Sequence, residues 1–290
     1  MVSTVEASDY DMQCIHPVYL PKQQIYAPCN NCTACKIARA REWSIRIMHE
    51  LEYFENIGSF VTLTYSDENL PEHHSLRKND LTLYFKRLRK NLEGRTIKYF
   101  ACGEYGPKTE RPHYHAIILG LSPLEHDVIK GKCYDGPAIT NWSQGHVYIG
   151  SVTYDSVRYT ADYIQKKYNS DLGRQLYTNT GREYPFQLQS KGIGRRWCED
   201  HREELIENME ISMRGQKVGL PKYYQECLGL TQEEKAAKST EHIDSILEKL
   251  KKRGVKKEKG TYYWYLMDCK KQVEKNLARR ASLKDESAKL

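Results

Sequence analysis

His113 and His115 stand two residues apart in the apolar run Pro112-His113-Tyr114-His115-Ala116-Ile117-Ile118-Leu119. Side chains alternate along a strand, so period two puts both imidazoles on one face, within reach of a single metal ion. Further along, Tyr159 and Tyr163 are spaced i and i+4 in a stretch that reads as helix. They stand one above the other and can take turns at one reaction centre. If a hairpin closes across residues 105–111, Glu104 falls opposite His113 and supplies a third ligand. Two imidazoles and a carboxylate leave coordination positions open for a phosphate, and this donor set suits Mn²⁺ or Mg²⁺ better than a closed structural zinc site. Taken singly, each residue has an ordinary reading: a hydrogen-bonded strand histidine, a surface carboxylate, a second packing edge. The combination is what metal-assisted cleavage of a nucleic-acid strand by tyrosine requires.

A phenol with an ordinary pKa of about 10 is a poor nucleophile at neutral pH and needs positive charge nearby. Lys166 and Lys167 follow Tyr163 by three and four residues and can stabilise the phenolate or the charge developing on phosphorus. Val157, Ala161, Ile164 and Tyr168 form the helix's packing stripe. At ~100° per residue, Tyr159 and Tyr163 lie about 200° round from Val157 and Ala161, so the pair is not simply part of that stripe. Tyr168 is assigned to the core.

The elements that must position these groups follow from periodicity. A basic amphipathic helix runs from Lys36 to about Asn56, with Ile37, Ala40, Trp43, Ile47, Leu51 and Phe54 at helical spacing, and Gly58 stops it. Ser59–Tyr65 reads as a strand, Asp80 to about Leu92 as a helix, Thr96–Glu104 and Pro112–Leu121 as a long-looped hairpin, His146–Thr153 as a strand and Tyr154–Tyr168 as a helix. This order predicts an α+β fold, a central antiparallel sheet flanked by helices, rather than repeated βαβ units. Two charged helical stretches, near 231–252 and 262–283, complete a helical basic C-terminal region. The expected organisation is a cysteine-containing segment over 1–35, a central domain over 36–200 and the C-terminal region over 201–290.

The chain of 290 residues carries a net charge of +7 and 22 tyrosines against 5 phenylalanines, a mixture suited to phosphate contact and base stacking. The first thirteen residues are polar and acidic, with no secretory signal, and no stretch has the length of a membrane span. Nine cysteines in such a chain point to thiols in a reducing cytoplasm rather than to a disulfide framework. Cys29, Cys32 and Cys35, with Cys14 as a fourth, could hold zinc, although three ligands within seven residues are crowded; reduced free thiols are the alternative. In Ser190-Lys191-Gly192-Ile193-Gly194-Arg195-Arg196, backbone N–H groups with Lys191, Arg195 and Arg196 could cradle DNA phosphates, or the segment is a turn before a helix starting near Trp197. Lys251, Lys252, Arg253, Lys256 and Lys257 either follow a DNA backbone or form a solvated face.

The order Leu63-Thr64-Tyr65, then Glu104, then Pro112-His113-Tyr114-His115, then Tyr159-x-x-x-Tyr163-x-x-Lys166 resembles the HUH endonucleases, specifically the two-tyrosine rolling-circle replication initiators. Over about residues 14–200 the chain looks like the replication initiation proteins of the gokushovirus branch of the microviruses, single-stranded DNA bacteriophages. The cysteine run leading into Arg39-Ala40-Arg41-Glu42-Trp43, and the later Gly192-Ile193-Gly194 with Trp197, support the likeness. The resemblance implies divalent-metal-dependent nicking of single-stranded origin DNA in the host cytoplasm, a 5′-phosphotyrosine link and a free 3′-hydroxyl primer. Glu104, His113 and His115 would hold the metal, Tyr159 and Tyr163 would alternate between initiation and rejoining, and host helicase and polymerase would be partners. Two positions depart from the pattern: Tyr114 replaces a bulky apolar residue, and Asp162 stands beside Tyr163 where a basic residue is expected. The rival reading is a non-catalytic single-stranded nucleic-acid-binding protein that grips a strand with its basic helix, tyrosines and a zinc knuckle. A plasmid initiator or transposase with the same site would differ in target, not chemistry.

Overall fold

The computed structural model describes residues 14, 16, 18–21, 25–106, 109–131, 141–166, 175, 177–252, 254, 272 and 275. By its contacts the chain divides into two units, residues 39–200 and residues 1–38 with 201–290. In the second of these, β1 (Val18–Leu20) and β2 (Ile25–Ala27) pair as an antiparallel hairpin and lead into α1 (Thr33–Glu52).

The unit of residues 39–200 is built on a five-stranded antiparallel sheet. Its strands are β3 (Gly58–Tyr65), β4 (Lys98–Tyr105), β5 (Pro112–Leu119), β6 (Gly145–Ser151) and β7 (Phe186–Gln189), in the spatial order β6-β3-β5-β4-β7. Helices cover both faces, so the central strand β5 is buried nearly throughout. Val61, Leu63, Ala101, Ala116 and Ile118 face α2 (Lys78–Asn91), which buries Leu81, Tyr84, Phe85 and Leu88 against them. On the other face Phe100, Ile117 and Leu119 meet Ala40, Ile47 and Leu51 of α1 and Val157 and Ala161 of α4 (Tyr154–Lys166). Each large apolar side chain so buried contributes about 1.5–3 kcal/mol. The α+β fold read from the order of elements is therefore present.

Several boundaries differ from expectation for identifiable reasons. Helix α1 ends at Glu52, short of Asn56, because Glu55 and Asn56 take left-handed backbone (φ 54° and 58°) that no helix continues. Gly58 is not the stop but the first residue of β3. A Cβ there would press on Leu51 Cδ1 and Val152 Cγ2, both at 3.0 Å, so its smallness lets the helix approach the strand. Strands β1, β2 and β7 carry no sequence signal, and neither do β8 (Glu210–Met213) and β9 (Gln216–Gly219), which pair as a second hairpin. All five are three or four residues long, too short for a readable alternation. A short α3 (His126–Lys130) precedes β6.

The glycine segment before α5 (Arg195–Asp200) turns its backbone inward. Gly194 N–H donates to Glu50 Oε2 (2.6 Å), Lys98 Nζ reaches both Glu50 Oε1 (2.7 Å) and the Gly192 carbonyl (3.2 Å), and Arg46 Nε donates to the Ile193 carbonyl (3.1 Å). Glu50 is buried and Ile193 lies in the core, so this loop fastens α1 to the sheet edge. After it come α5, α6 (Arg202–Asn208), α7 (Lys222–Cys227) and α8 (Gln232–Lys252), the last at the place expected for the first charged stretch. Of the second charged stretch only residues 272 and 275 are described, and Arg253, Lys256 and Lys257 lie outside the described residues. Among the described residues no helix is long and apolar enough to cross a membrane.

Candidate metal centre and nucleophile

The β4–β5 hairpin closes in the register that brings the triad together: Glu104 pairs with His113, and Cys102 with His115. Glu104 Oε1 lies 3.0 Å from His113 Nε2 and 3.1 Å from His115 Nε2. Glu104 and His115 are buried, each 5% exposed, and His113 is half-buried. Burial works to raise the Glu104 carboxyl, but the two imidazoles, when protonated, overcome it through their hydrogen bonds and charge and hold the pKa below the ordinary carboxylate value.

The outer nitrogens decide what this cluster can bind. His113 Nδ1 is 3.0 Å from the Arg111 carbonyl, which only accepts, so Nδ1 carries the proton. The neutral ring then turns the Nε2 lone pair toward the Glu104 carboxylate, and two acceptors face each other. Only a cation resolves that conflict, either a second proton on the ring or a metal ion between ligand atoms. His115 Nδ1 is 3.0 Å from Thr62 Oγ1, and a hydroxyl can donate or accept, so His115 can present either a proton or a lone pair at Nε2. The donor set thus fits a divalent metal with open positions.

Thr62 reaches His115 because β3 is the neighbour of β5, pairing Thr62 with His115 and Thr64 with His113. Phe60, two residues earlier on the same face, stacks on His115 with ring centroids 5.7 Å apart and planes 12° from parallel. Helix α4 buries Val157 and Ala161, the first two members of the stripe expected from sequence, and sets Tyr159 beside the triad; the Ile164 side chain and Tyr168 lie outside the described residues. The Tyr159 ring is 5.3 Å from that of His115 and 6.2 Å from that of Phe60, edge-on to both and 41% exposed. Tyr163 and Lys166 lie in the last turns of α4, but their side chains fall outside the described residues, as does Lys167 altogether.

Both departures from the motif have a structural account. Tyr114 points away from the triad into the α2 face, where its hydroxyl accepts the Arg77 N–H (2.9 Å) at the start of α2 and lies 2.6 Å from the Tyr65 hydroxyl, which donates to Asp80 (2.8 Å). Burial pushes both phenols up, which suits these hydrogen bonds and not nucleophilic attack. Asp162 is paired with Arg158 Nε at 3.2 Å one turn back, so its charge is largely neutralised before it bears on the site. Among the predicted phosphate contacts, Lys191, Arg195 and Arg196 are all exposed. Arg195 pairs with Glu199 (2.7 Å), and the Arg196 guanidinium lies 4.4 Å over the Tyr53 ring. The Gly194 N–H, a candidate phosphate donor in the sequence, is taken by Glu50.

The cysteines form a second group. The four sulfurs of Cys14, Cys29, Cys32 and Cys35 lie within 4.8 Å of one another. Burial raises the Cys29 thiol, but the N–H groups of Asn31 and Cys32 and the neighbouring thiols outweigh it and bring the pKa down to about 6. Thr62 is not visible to sequence reasoning, since nothing in one strand names its spatial neighbour.

A family model described as a replication-associated protein of the ORF2 type matches residues 58–168, which contain the triad and both tyrosines. The chain is 32% identical over 217 residues to the Replication-associated protein VP4 of Bdellovibrio phage phiMH2K, covering 69% of this chain and 66% of that protein. It is 35% identical over 215 residues to the Replication-associated protein ORF2 of Spiroplasma virus 4, covering 68% and 66%. With the Replication-associated protein ORF4 of Chlamydia phage 1 it shares 24% identity over 257 residues, covering 84% and 63%. The chain thus spans just under two thirds of the length of these relatives, and no solved structure matches it. The resemblance to phage initiators drawn from the histidine and tyrosine spacing is borne out as a likeness: residues 58–168 match the replication-associated family model of the ORF2 type, and the relatives are replication-associated proteins of phages.

Proposed function

We propose that this protein initiates rolling-circle replication by nicking single-stranded origin DNA through tyrosine. The observation that carries the reading is the convergence of Glu104, His113 and His115 on one sheet face with the Tyr159 ring 5.3 Å from His115. Glu104, His113 and His115 would hold Mg²⁺ or Mn²⁺, which supplies Lewis-acid polarisation of the scissile phosphate. Tyr159 or Tyr163 attacks phosphorus in line: the phenolic O–P bond forms, the bond from phosphorus to the 3′-oxygen breaks, and that oxygen takes up a proton to become the free 3′-hydroxyl primer. The second tyrosine repeats the attack at termination, and the 3′-hydroxyl it releases attacks the first phosphotyrosine: the 3′-O–P bond that rejoins the ends forms, the tyrosyl O–P bond breaks and the freed phenolic oxygen takes up a proton. Lys166 offsets phenolate charge, and Lys167, Lys191, Arg195 and Arg196 contact the DNA backbone. The reaction takes place in the host cytoplasm, where helicase and polymerase extend the primer.

The test is incubation with labelled single-stranded oligonucleotides tiling the cognate origin, in Mn²⁺ or EDTA, with Tyr159→Phe, Tyr163→Phe, the double variant and His113→Ala alongside. A denaturant-stable adduct that needs metal and disappears in the double variant is expected. Tight binding of every origin oligonucleotide with no covalent product overturns the enzyme reading in favour of a binding module.

A further inference from the structure

The cysteine group lies outside the proposed nicking site, and its geometry is specific. We infer that Cys14, Cys29, Cys32 and Cys35 bind one structural zinc ion as four thiolates, clamping the base of the β1–β2 hairpin to the first turn of α1. Four sulfurs about 2.3 Å from a tetrahedral zinc ion stand about 3.8 Å apart. Here Cys14 Sγ and Cys32 Sγ are 3.9 Å apart, Cys29 Sγ and Cys35 Sγ are 4.0 Å apart, and no pair exceeds 4.8 Å. A disulfide would bring one pair to about 2.05 Å and has no reason to hold the other two sulfurs in the same sphere. The sulfurs are also too close together to surround a multi-iron cluster, and soft thiolates disfavour Mg²⁺ or Ca²⁺.

The backbone removes the crowding that three ligands within seven residues would cause. Asn30 takes a left-handed conformation (φ 59°), which an Asn tolerates, and folds the chain so that the Asn31 and Cys32 N–H groups point at Cys29 Sγ (3.5 and 3.3 Å). The Cys29 N–H donates to Cys14 Sγ (3.1 Å). These donors are what sulfurs carrying thiolate charge require around them. Helix α1 then begins at Thr33, and one helical step of three residues returns Cys35 to the side of Cys32.

The site also answers a stability problem. Cys14 and Cys29 bracket a hairpin whose strands are three residues each, with Val18 50% and Tyr19 48% exposed. A two-stranded hairpin of strands this short is marginal in water, and a closed thiolate site supplies folding free energy to it.

The experiment uses the full chain, expressed with zinc supplementation and purified reduced into Mg²⁺ buffer. Inductively coupled plasma mass spectrometry should find one zinc per chain. It should be retained in His113→Ala and Cys227→Ser and lost in Cys29→Ser and Cys32→Ser. Should those cysteine variants fail to fold, the wild-type chain loaded with Co²⁺ must show thiolate-to-cobalt charge transfer with tetrahedral d–d bands. Mass-spectrometric alkylation must find the four cysteines protected until the metal is chelated. The inference is overturned by a reduced wild-type chain without zinc or a cobalt–thiolate spectrum, by iron in its place, by a disulfide among the four, or by zinc that leaves with His113 rather than with Cys29.

Discussion

Replacing Thr62 by Val keeps the β-branched shape that β3 favours and removes only the hydroxyl 3.0 Å from His115 Nδ1. His115 is 5% exposed, so little water can substitute, and one neutral hydrogen bond of about 1 kcal/mol is lost. The consequence for metal is larger. Without an acceptor at Nδ1, His115 places its proton on Nε2, where Glu104 Oε1 accepts it at 3.1 Å, and the lone pair a metal needs is gone. Binding must then reverse the tautomer and leave a buried N–H unsatisfied. Loss of such an outer partner lowers metal affinity by about 10–100-fold, about 1.4–2.7 kcal/mol. Mn²⁺ titration of the DNA-free protein by calorimetry should show this shift. Adduct formation against Mn²⁺ should move its midpoint by the same factor and recover its yield at saturating metal. Thr62→Ser, which keeps the hydroxyl, should stay near the parent. An unchanged midpoint in the Val variant, or an equal shift in Val and Ser, refutes the role given to Thr62, provided circular dichroism shows both folded.

Tyr114→Phe removes the hydroxyl that accepts the Arg77 N–H, donates to the Arg77 carbonyl and meets Tyr65, leaving the part-buried Arg77 N–H and carbonyl without that partner. It should lower stability by about 1–3 kcal/mol in urea unfolding while the Mn²⁺ midpoint stays unchanged, because the ring points away from the triad. The Arg95 guanidinium, bonded to Glu125 at 2.5 and 3.0 Å, holds that carboxyl below its ordinary value of 4.5, with the Ser122 N–H assisting. A depressed folded pKa means that this stabilisation is complete above the ordinary value and is lost as pH falls through the folded one. Glu125→Gln should therefore flatten stability against pH below about 4.5, by no more than about 1 kcal/mol for so exposed a pair, as thermal melts across pH would show.

The α+β order, the burial of Val157 and Ala161 on α4 and the matched faces of His113 and His115 were legible because each depends on periodicity within one element. Glu104 was placed correctly because a hairpin is a local structure whose register follows from its closing residues. The cysteine spacing was legible as a motif but not as a site: whether three ligands within seven residues can converge depends on the left-handed turn at Asn30 and on where α1 begins. Thr62 became a partner of His115 only when β3, far away in sequence, packed beside β5. Glu50 claimed the Gly194 N–H in the same way, across a separation of 144 residues. Side-chain chemistry and local period are properties of the chain, so the sequence by itself determined which residues are candidate ligands and nucleophiles and that His113 and His115 share a face. Strand order and helix docking minimise the free energy of the whole domain, so only the tertiary structure decided which groups orient those ligands and which polar groups are already spent inside the fold.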